Sequence, residues 1–180
     1  INPATQEVIA RAPKATKEET EEPIKIAKRT FESGVWSDRS PQERAAVLLQ
    51  IADKLQENID ELTELEVQNN GKTRREAHSD AEEAANTFRY YAGLLNIPNG
   101  QAYEASSDMQ TLIVKEPMGV AGLIVPWNFP LLMSVWKIAP ALAAGNSILL
   151  KPAEITPMTA VKLFELMDET DLPKGAANLL

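Results

Sequence analysis

Residues 117 to 136 run for twenty positions without a charged side chain, and two prolines, Pro126 and Pro130, stand in the middle of the run. A stretch of that length matches the core of a bilayer. The prolines and Asn128 between them argue against a membrane helix, because each proline removes a backbone donor and lipid offers no replacement. The run reads instead as a buried strand over Val120 to Val125, a stiff loop, and a helix from about Leu131 to Ala144 ended by Gly145-Asn146. A second strand, Ser147 to Leu150, follows. A second helix then carries Pro157 in its first turn and runs to about Glu169, and a third strand begins near Asn178. Strands alternating with helices predict a parallel sheet with crossover helices, left incomplete where the sequence stops.

Upstream of Pro117 the pattern changes. Residues 1–116 hold 14 basic and 21 acidic side chains, against 4 and 5 in residues 117–180. Glu18 to Ser33 reads as a solvated helix. A longer one is predicted from Pro41 to about Asn69, with Ser40 as N-cap and Glu43 completing a capping box. Its apolar stripe is Leu48, Ile51, Leu55, Ile59, Leu62 and Leu65, and Asn69-Asn70-Gly71 suits a left-handed terminus. A third helix, Thr73 to about Leu95, repeats the spacing through Ala77, Ala81, Ala84, Phe88, Tyr91 and Leu95. Asn99-Gly100 marks a turn and Gln110 to Lys115 a strand. The chain thus divides into a helical part (1–100), a β-segment (101–116) and the first strands of a parallel sheet (117–180).

A net charge of −8 disfavours a sequence-independent grip on nucleic acid or anionic lipid. The absence of Cys excludes a disulfide framework, a thiolate zinc site and a cysteine nucleophile within these residues. Ile1 to Thr5 lacks the basic start and apolar block of a secretory leader, which suggests a cytoplasmic protein. A first residue that is not Met, and structured sequence at both ends, suggest a piece of something longer.

Ligands of parallel α/β sheets sit beyond the carboxyl ends of the strands. After the first strand, Pro126-Trp127-Asn128-Phe129-Pro130 holds a neutral amide on a rigid loop, where it could stabilise a developing oxyanion. The simpler alternative is that Asn128 caps the following helix. After the second strand, Lys151-Pro152-Ala153-Glu154 places a donor and an acceptor where ribose hydroxyls could meet both. The carboxylate would repel a 2′-phosphate and so favour NAD over NADP. The alternative is a solvated ion pair beside a turn. No G-x-G-x-x-G follows the first strand, so spacing alone implies no more than a nucleotide-type fold.

Four linked segments carry more. Gly122 to Leu131, Trp136-Lys137, Pro140 to Asn146 and Lys151 to Glu154, in this order and spacing, resemble the cofactor half of the aldehyde dehydrogenase superfamily. Asn2-Pro3-Ala4-Thr5, Asn70-Gly71-Lys72, Tyr90 to Gly93 and Lys115 to Val120 resemble further landmarks, so the likeness spans nearly the whole chain. Arg89 to Gly93 and Trp136 look most like the branch that oxidises betaine aldehyde and similar small aldehydes. The resemblance implies a Rossmann-like α/β sheet preceded by helices and a small oligomerisation β-element, made by Leu112 to Lys115 with the segment near Ala102 to Ala105, and hence a homo-oligomer.

It further implies that Asn128 donates to the oxyanion and that Lys137 lies near a proton-relay path. Lys151 and Glu154 would bind the adenosine ribose of NAD, and Ile124, Val125, Pro126 and Trp127 would line the cofactor cleft. Met133 and Trp136 would wall the aldehyde tunnel, where an aromatic face could attract a cationic substrate; plain helix packing is the alternative for both. Asn69 stands where relatives often carry an acidic residue for a monovalent cation, so no metal site is expected. His78, the only histidine, reads as a surface residue. The family's chemistry needs a Cys thiolate and a Glu that activates water, and the thiolate is missing here, so this stretch alone is expected to be inactive. The remainder of a dehydrogenase chain would supply them. Two alternatives stay open: a non-catalytic module that binds nucleotide or pairs with a partner chain, and a helical scaffold.

Overall fold

A computed structural model describes residues 1–97 and 100–180; the expected turn at Asn99-Gly100 falls partly outside them. Four helices come first: α1 Lys17–Glu32, α2 Pro41–Glu57, α3 Ile59–Asn70 and α4 Arg74–Leu94. Thr16, Ser40 and Thr73 cap α1, α2 and α4, each with a glutamate three residues on that bonds back to the cap. These reciprocal bonds satisfy donors that a helix start leaves unpaired.

The single helix expected from Pro41 to Asn69 is two. Asn58 breaks it, with φ −112 and ψ 18, while its own amide donates to the Lys54 carbonyl. A side chain that bonds the backbone locally competes with helix continuation, and the apolar stripe carries on across the break. Leu48, Ile51, Leu55, Ile59 and Leu62 are all buried, whereas Leu65 is half-buried.

A two-stranded antiparallel hairpin follows, β1 Gln101–Ser106 with β2 Met109–Ile113. Every residue of both strands is exposed. The main sheet is parallel, in the order β3 (Val120–Ile124), β4 (Ser147–Lys151), β5 (Ala177–Leu179). Helices α5 (Pro130–Ala143) and α6 (Met158–Asp168) make the crossovers and touch each other, while α1 packs across the three strands without meeting either. The sheet therefore has α1 on one face and α5 with α6 on the other. Helices α2, α3 and α4 form a further layer over α5 and α6.

The core joins these layers through Phe88, Leu131, Ile138, Leu142, Ile148, Leu150 and Leu163, all fully buried. Trp36 is buried as well, and its Nε1 donates to the Leu142 carbonyl at 3.2 Å. Arg44 Nε donates to the Ala143 carbonyl at 2.9 Å. Trp36, between α1 and α2, and Arg44, in the first turn of α2, thus tie down the end of α5, where the Leu142 carbonyl also accepts from the Gly145 amide at 2.9 Å.

Glu66, Lys72 and Asp80 form a nearly dry ionic cluster between α3 and α4. Lys72 Nζ lies 2.5 Å from Asp80 and 3.3 Å from Glu66, and the three side chains are 9%, 12% and 1% exposed. Burial pushes the Glu66 carboxyl above its ordinary range, and the Lys72 charge opposes it. Removing one partner of such a cluster strands a buried charge.

Two stability outcomes follow from these contacts. Trp36→Ala should cost about 3–5 kcal/mol in urea unfolding, since it opens a cavity and removes a buried hydrogen bond. A carboxyl whose folded pKa is raised favours the folded state below its unfolded pKa and loses that advantage as pH rises through the folded value. Glu66→Gln should therefore gain on the parent as pH climbs from 4.5, the group's ordinary value, through its raised one. Urea midpoints compared at several pH values check this, and a difference independent of pH would contradict it.

Candidate functional site

Ile124 at the end of β3 pairs with Lys151 at the end of β4, so the loops that leave the two strands emerge side by side. The Val125 amide extends the ladder by donating to the Lys151 carbonyl at 3.2 Å. Beyond it the chain turns outward: Pro126, Trp127, Asn128 and Phe129 are exposed, and Pro130 is buried at the start of α5.

The N-cap of α5 is Phe129, with no side-chain cap bond. The capping alternative for Asn128 therefore fails. Among the described residues its side chain has no hydrogen-bond partner, which leaves the amide free at the sheet mouth. The loop itself is tied down. Asn70 Nδ2 donates to the Trp127 carbonyl at 2.7 Å, and Lys72 Nζ stands 4.4 Å from the centre of the Phe129 ring.

After β4, Lys151 Nζ donates to the Pro152 carbonyl and to Glu154. Lys151, first through this hydrogen bond, holds the Glu154 carboxyl below its usual range, so it is ionised at neutral pH. Both side chains remain open to water, at 40% and 78%, and solvent screening makes such a pair easy to open. The ion pair expected as an alternative is present, and each member stays reachable. Ile124 and Trp127, 71% and 57% exposed, offer apolar surface on the neighbouring strand end and loop. Val125 differs: it is 4% exposed and its side chain belongs to the core, which removes that side chain from any cleft wall.

Met133, Trp136 and Lys137 share one side of α5 through their spacing. Trp136 is half exposed and lines a cleft of about 550 Å³ with Glu83, Asn86, Thr87, Tyr90 and Tyr91 of α4. Tyr90 and Tyr91 meet edge to face, 5.2 Å between centres. Met133 is half-buried against the core, which is the packing reading, and does not line that cleft; Lys137 is half-buried too. Sequence reasoning missed Glu83, Asn86 and Thr87. Their only signal was position, one to two turns before Tyr90 on the α4 face that α5 leaves open.

Asn69 is also engaged. Its Nδ2 donates to the Ile155 carbonyl at 3.0 Å and its Oδ1 accepts from the Met158 amide at 3.1 Å, which ties the end of α3 to the loop after Glu154. An aspartate could not make the first bond. A second cleft, about 660 Å³, lies between α3, α6 and residues 9–13, with Glu154 and Ile155 at its edge. Among the described residues no cluster of three or more His, Asp or Glu is placed to hold a metal ion, and no helix is long and apolar enough to cross a membrane.

Comparison with known proteins finds relatives along the whole of this chain. The betaine aldehyde dehydrogenase of Bacillus subtilis is 46% identical over 181 residues, covering 100% of this chain and 37% of that protein. The aminoacetaldehyde dehydrogenase of Pseudomonas aeruginosa is 42% identical, covering 99% and 36%. The crystal structure of betaine aldehyde dehydrogenase from Staphylococcus aureus in complex with NAD+ superposes with a TM-score of 0.97 at 46% identity, covering 100% of this chain and 36% of that one. The chain thus spans little more than a third of the length of these relatives. The family model described as "Aldehyde dehydrogenase family" matches residues 1–180, and with these relatives it shows that the chain belongs to the aldehyde dehydrogenase family.

Proposed function

We propose that this chain is the oxyanion- and ribose-binding part of an NAD-dependent aldehyde dehydrogenase that oxidises a small aldehyde, betaine aldehyde or a close analogue, to its carboxylic acid. The observation that carries the reading is the Asn128 amide: it is exposed, has no side-chain partner among the described residues, and sits on a stiff loop beside the Lys151–Glu154 strand end. A donor already aimed at the place where negative charge develops stabilises a tetrahedral oxyanion without reorganising.

The residues present fit a dinucleotide. Lys151 offers donors and the ionised Glu154 an acceptor to a ribose diol, and Ile124 and Trp127 offer apolar faces beside them. The chemistry that bound NAD supplies is hydride acceptance. Glu154 would repel a 2′-phosphate, which favours NAD over NADP. Lys137, on the α5 face shared with Trp136, would serve proton movement. A cationic aldehyde suits the cleft between α4 and α5, where Trp136, Tyr90 and Tyr91 present aromatic surface and Glu83 a carboxylate. The nucleophilic thiolate must come from outside these 180 residues, which contain no Cys. The exposed hairpin supports a homo-oligomer, with its edges covered by another copy.

Tests belong in the complete natural chain that carries this sequence. Asn128→Ala should lower turnover roughly a hundred- to a thousand-fold, the loss typical of one oxyanion donor. Glu154→Gln should weaken NAD binding and narrow the preference over NADP, read by titration with each dinucleotide; an unchanged ratio would remove Glu154 from that role. The 180-residue chain by itself should not reduce NAD with any aldehyde, and turnover at the rate of a full-length relative would overturn the need for an external thiolate.

A further inference from the structure

Two of the three side chains that hold the Asn128 loop come from one short segment outside the sheet; the third, the buried Thr156, donates its hydroxyl to the Trp127 carbonyl at 3.5 Å. Asn70, the last residue of α3, donates to the carbonyl of Trp127, one residue before Asn128. Lys72 places its ammonium over the ring of Phe129, one residue after it. Gly71 between them is left-handed, φ 86, and turns the chain so that both neighbours reach the loop. A Cβ at Gly71 would also stand 2.5 Å from the Pro3 ring, so the turn has no room for a side chain. Lys72 is itself pinned by Glu66 and Asp80 from two helices, with almost no water around the three. An ammonium held in this way cannot swing aside, and the Phe129 ring gains a fixed seat.

The exposed Asn128 side chain makes no hydrogen bond among the described residues that would set its direction, although an oxyanion donor works only if it is aimed beforehand. We propose that Asn70 and Lys72 are positioning residues for Asn128, gripping the backbone on one side of it and the aromatic ring on the other. The proposal rests on the reading of Asn128 as the oxyanion donor. It gives Asn70-Gly71-Lys72 a role in the acyl chemistry, although none of the three meets the substrate.

The test uses the complete natural chain with Asn128→Ala, Asn70→Ala, Asn70→Asp, Lys72→Met and the double variant Asn70→Ala/Asn128→Ala. Three readouts are needed: aldehyde turnover at saturating NAD, NAD affinity by calorimetry, and amide hydrogen exchange over residues 126–131. Asn70→Ala should lower turnover about ten- to a hundred-fold, as sub-ångström misplacement of a reacting group does. It should speed exchange in the loop and weaken NAD affinity far less than it lowers turnover, because only Trp127 of this loop faces the dinucleotide in the reading above. Asn70→Asp should be worse, because it turns a carboxylate toward a carbonyl. The double variant should lose no more than Asn128→Ala alone, since a residue that acts through Asn128 has nothing left to position. Lys72→Met should follow Asn70→Ala; if it does not fold, the two Asn70 variants decide the matter. Parental turnover in Asn70→Ala beside an impaired Asn128→Ala would overturn this proposal alone, as would losses that multiply in the double variant. Parental turnover in Asn128→Ala would overturn the oxyanion reading and this proposal together.

Discussion

The fold depends on the burial of α5. Apart from Lys137 that helix carries no charge, and nine of its fourteen residues are buried, so it cannot present a broad face to water. The sheet and α6 cover one side of it, and α2 and α4 cover another. Because both ends are fixed, its register is fixed too. Pro130 anchors the start directly after the exposed loop, and Trp36 and Arg44 take the last carbonyls. A slip of one residue would cost the core contacts and these bonds at once, and it would carry Asn128 away from the sheet mouth. Placement of the candidate site is therefore a by-product of packing rather than of local loop chemistry.

Electrostatics has a different part in the helical layer. Most ion pairs here are exposed and contribute little, such as the i,i+4 pairs of α1. The Glu66–Lys72–Asp80 cluster is the exception, because its members are out of water and must find one another. Such a cluster adds little net stability over an apolar core, but parting its members would strand a buried charge, which disfavours arrangements that separate Lys72 from α3 and α4.

The sequence showed the strand–helix alternation, the Ser40–Glu43 capping box and the left-handed Gly71 because each depends on neighbours within a few residues. It did not show the break at Asn58, where a side chain with middling helix propensity wins locally while the apolar stripe continues in phase. Nor did it show Trp36 meeting Leu142, a contact between residues 106 positions apart. The placement of Asn128, Lys151 and Glu154 just beyond neighbouring strand ends was readable, because a parallel sheet brings those ends side by side. Along an extended chain successive side chains point opposite ways, which is why Ile124 is exposed at the strand end while the Val125 side chain is buried. Asn69 and Asn70 read as helix-stopping residues, and only the folded arrangement brings one amide to Ile155 and the other to Trp127.

The hairpin of β1 and β2 is open to water on both faces and at both edges. A lone two-stranded ribbon is marginal in water, so the ladder between Gln101 and Ile113 gains almost nothing from the core that stabilises the rest of the chain. Its order and any association with a covering surface would therefore be one equilibrium: the free energy that straightens these strands would be drawn from the contact that hides them. By mass action, the concentration of such a surface would set how much of the hairpin exists as strand, whereas β4, buried within the main sheet, needs no such surface.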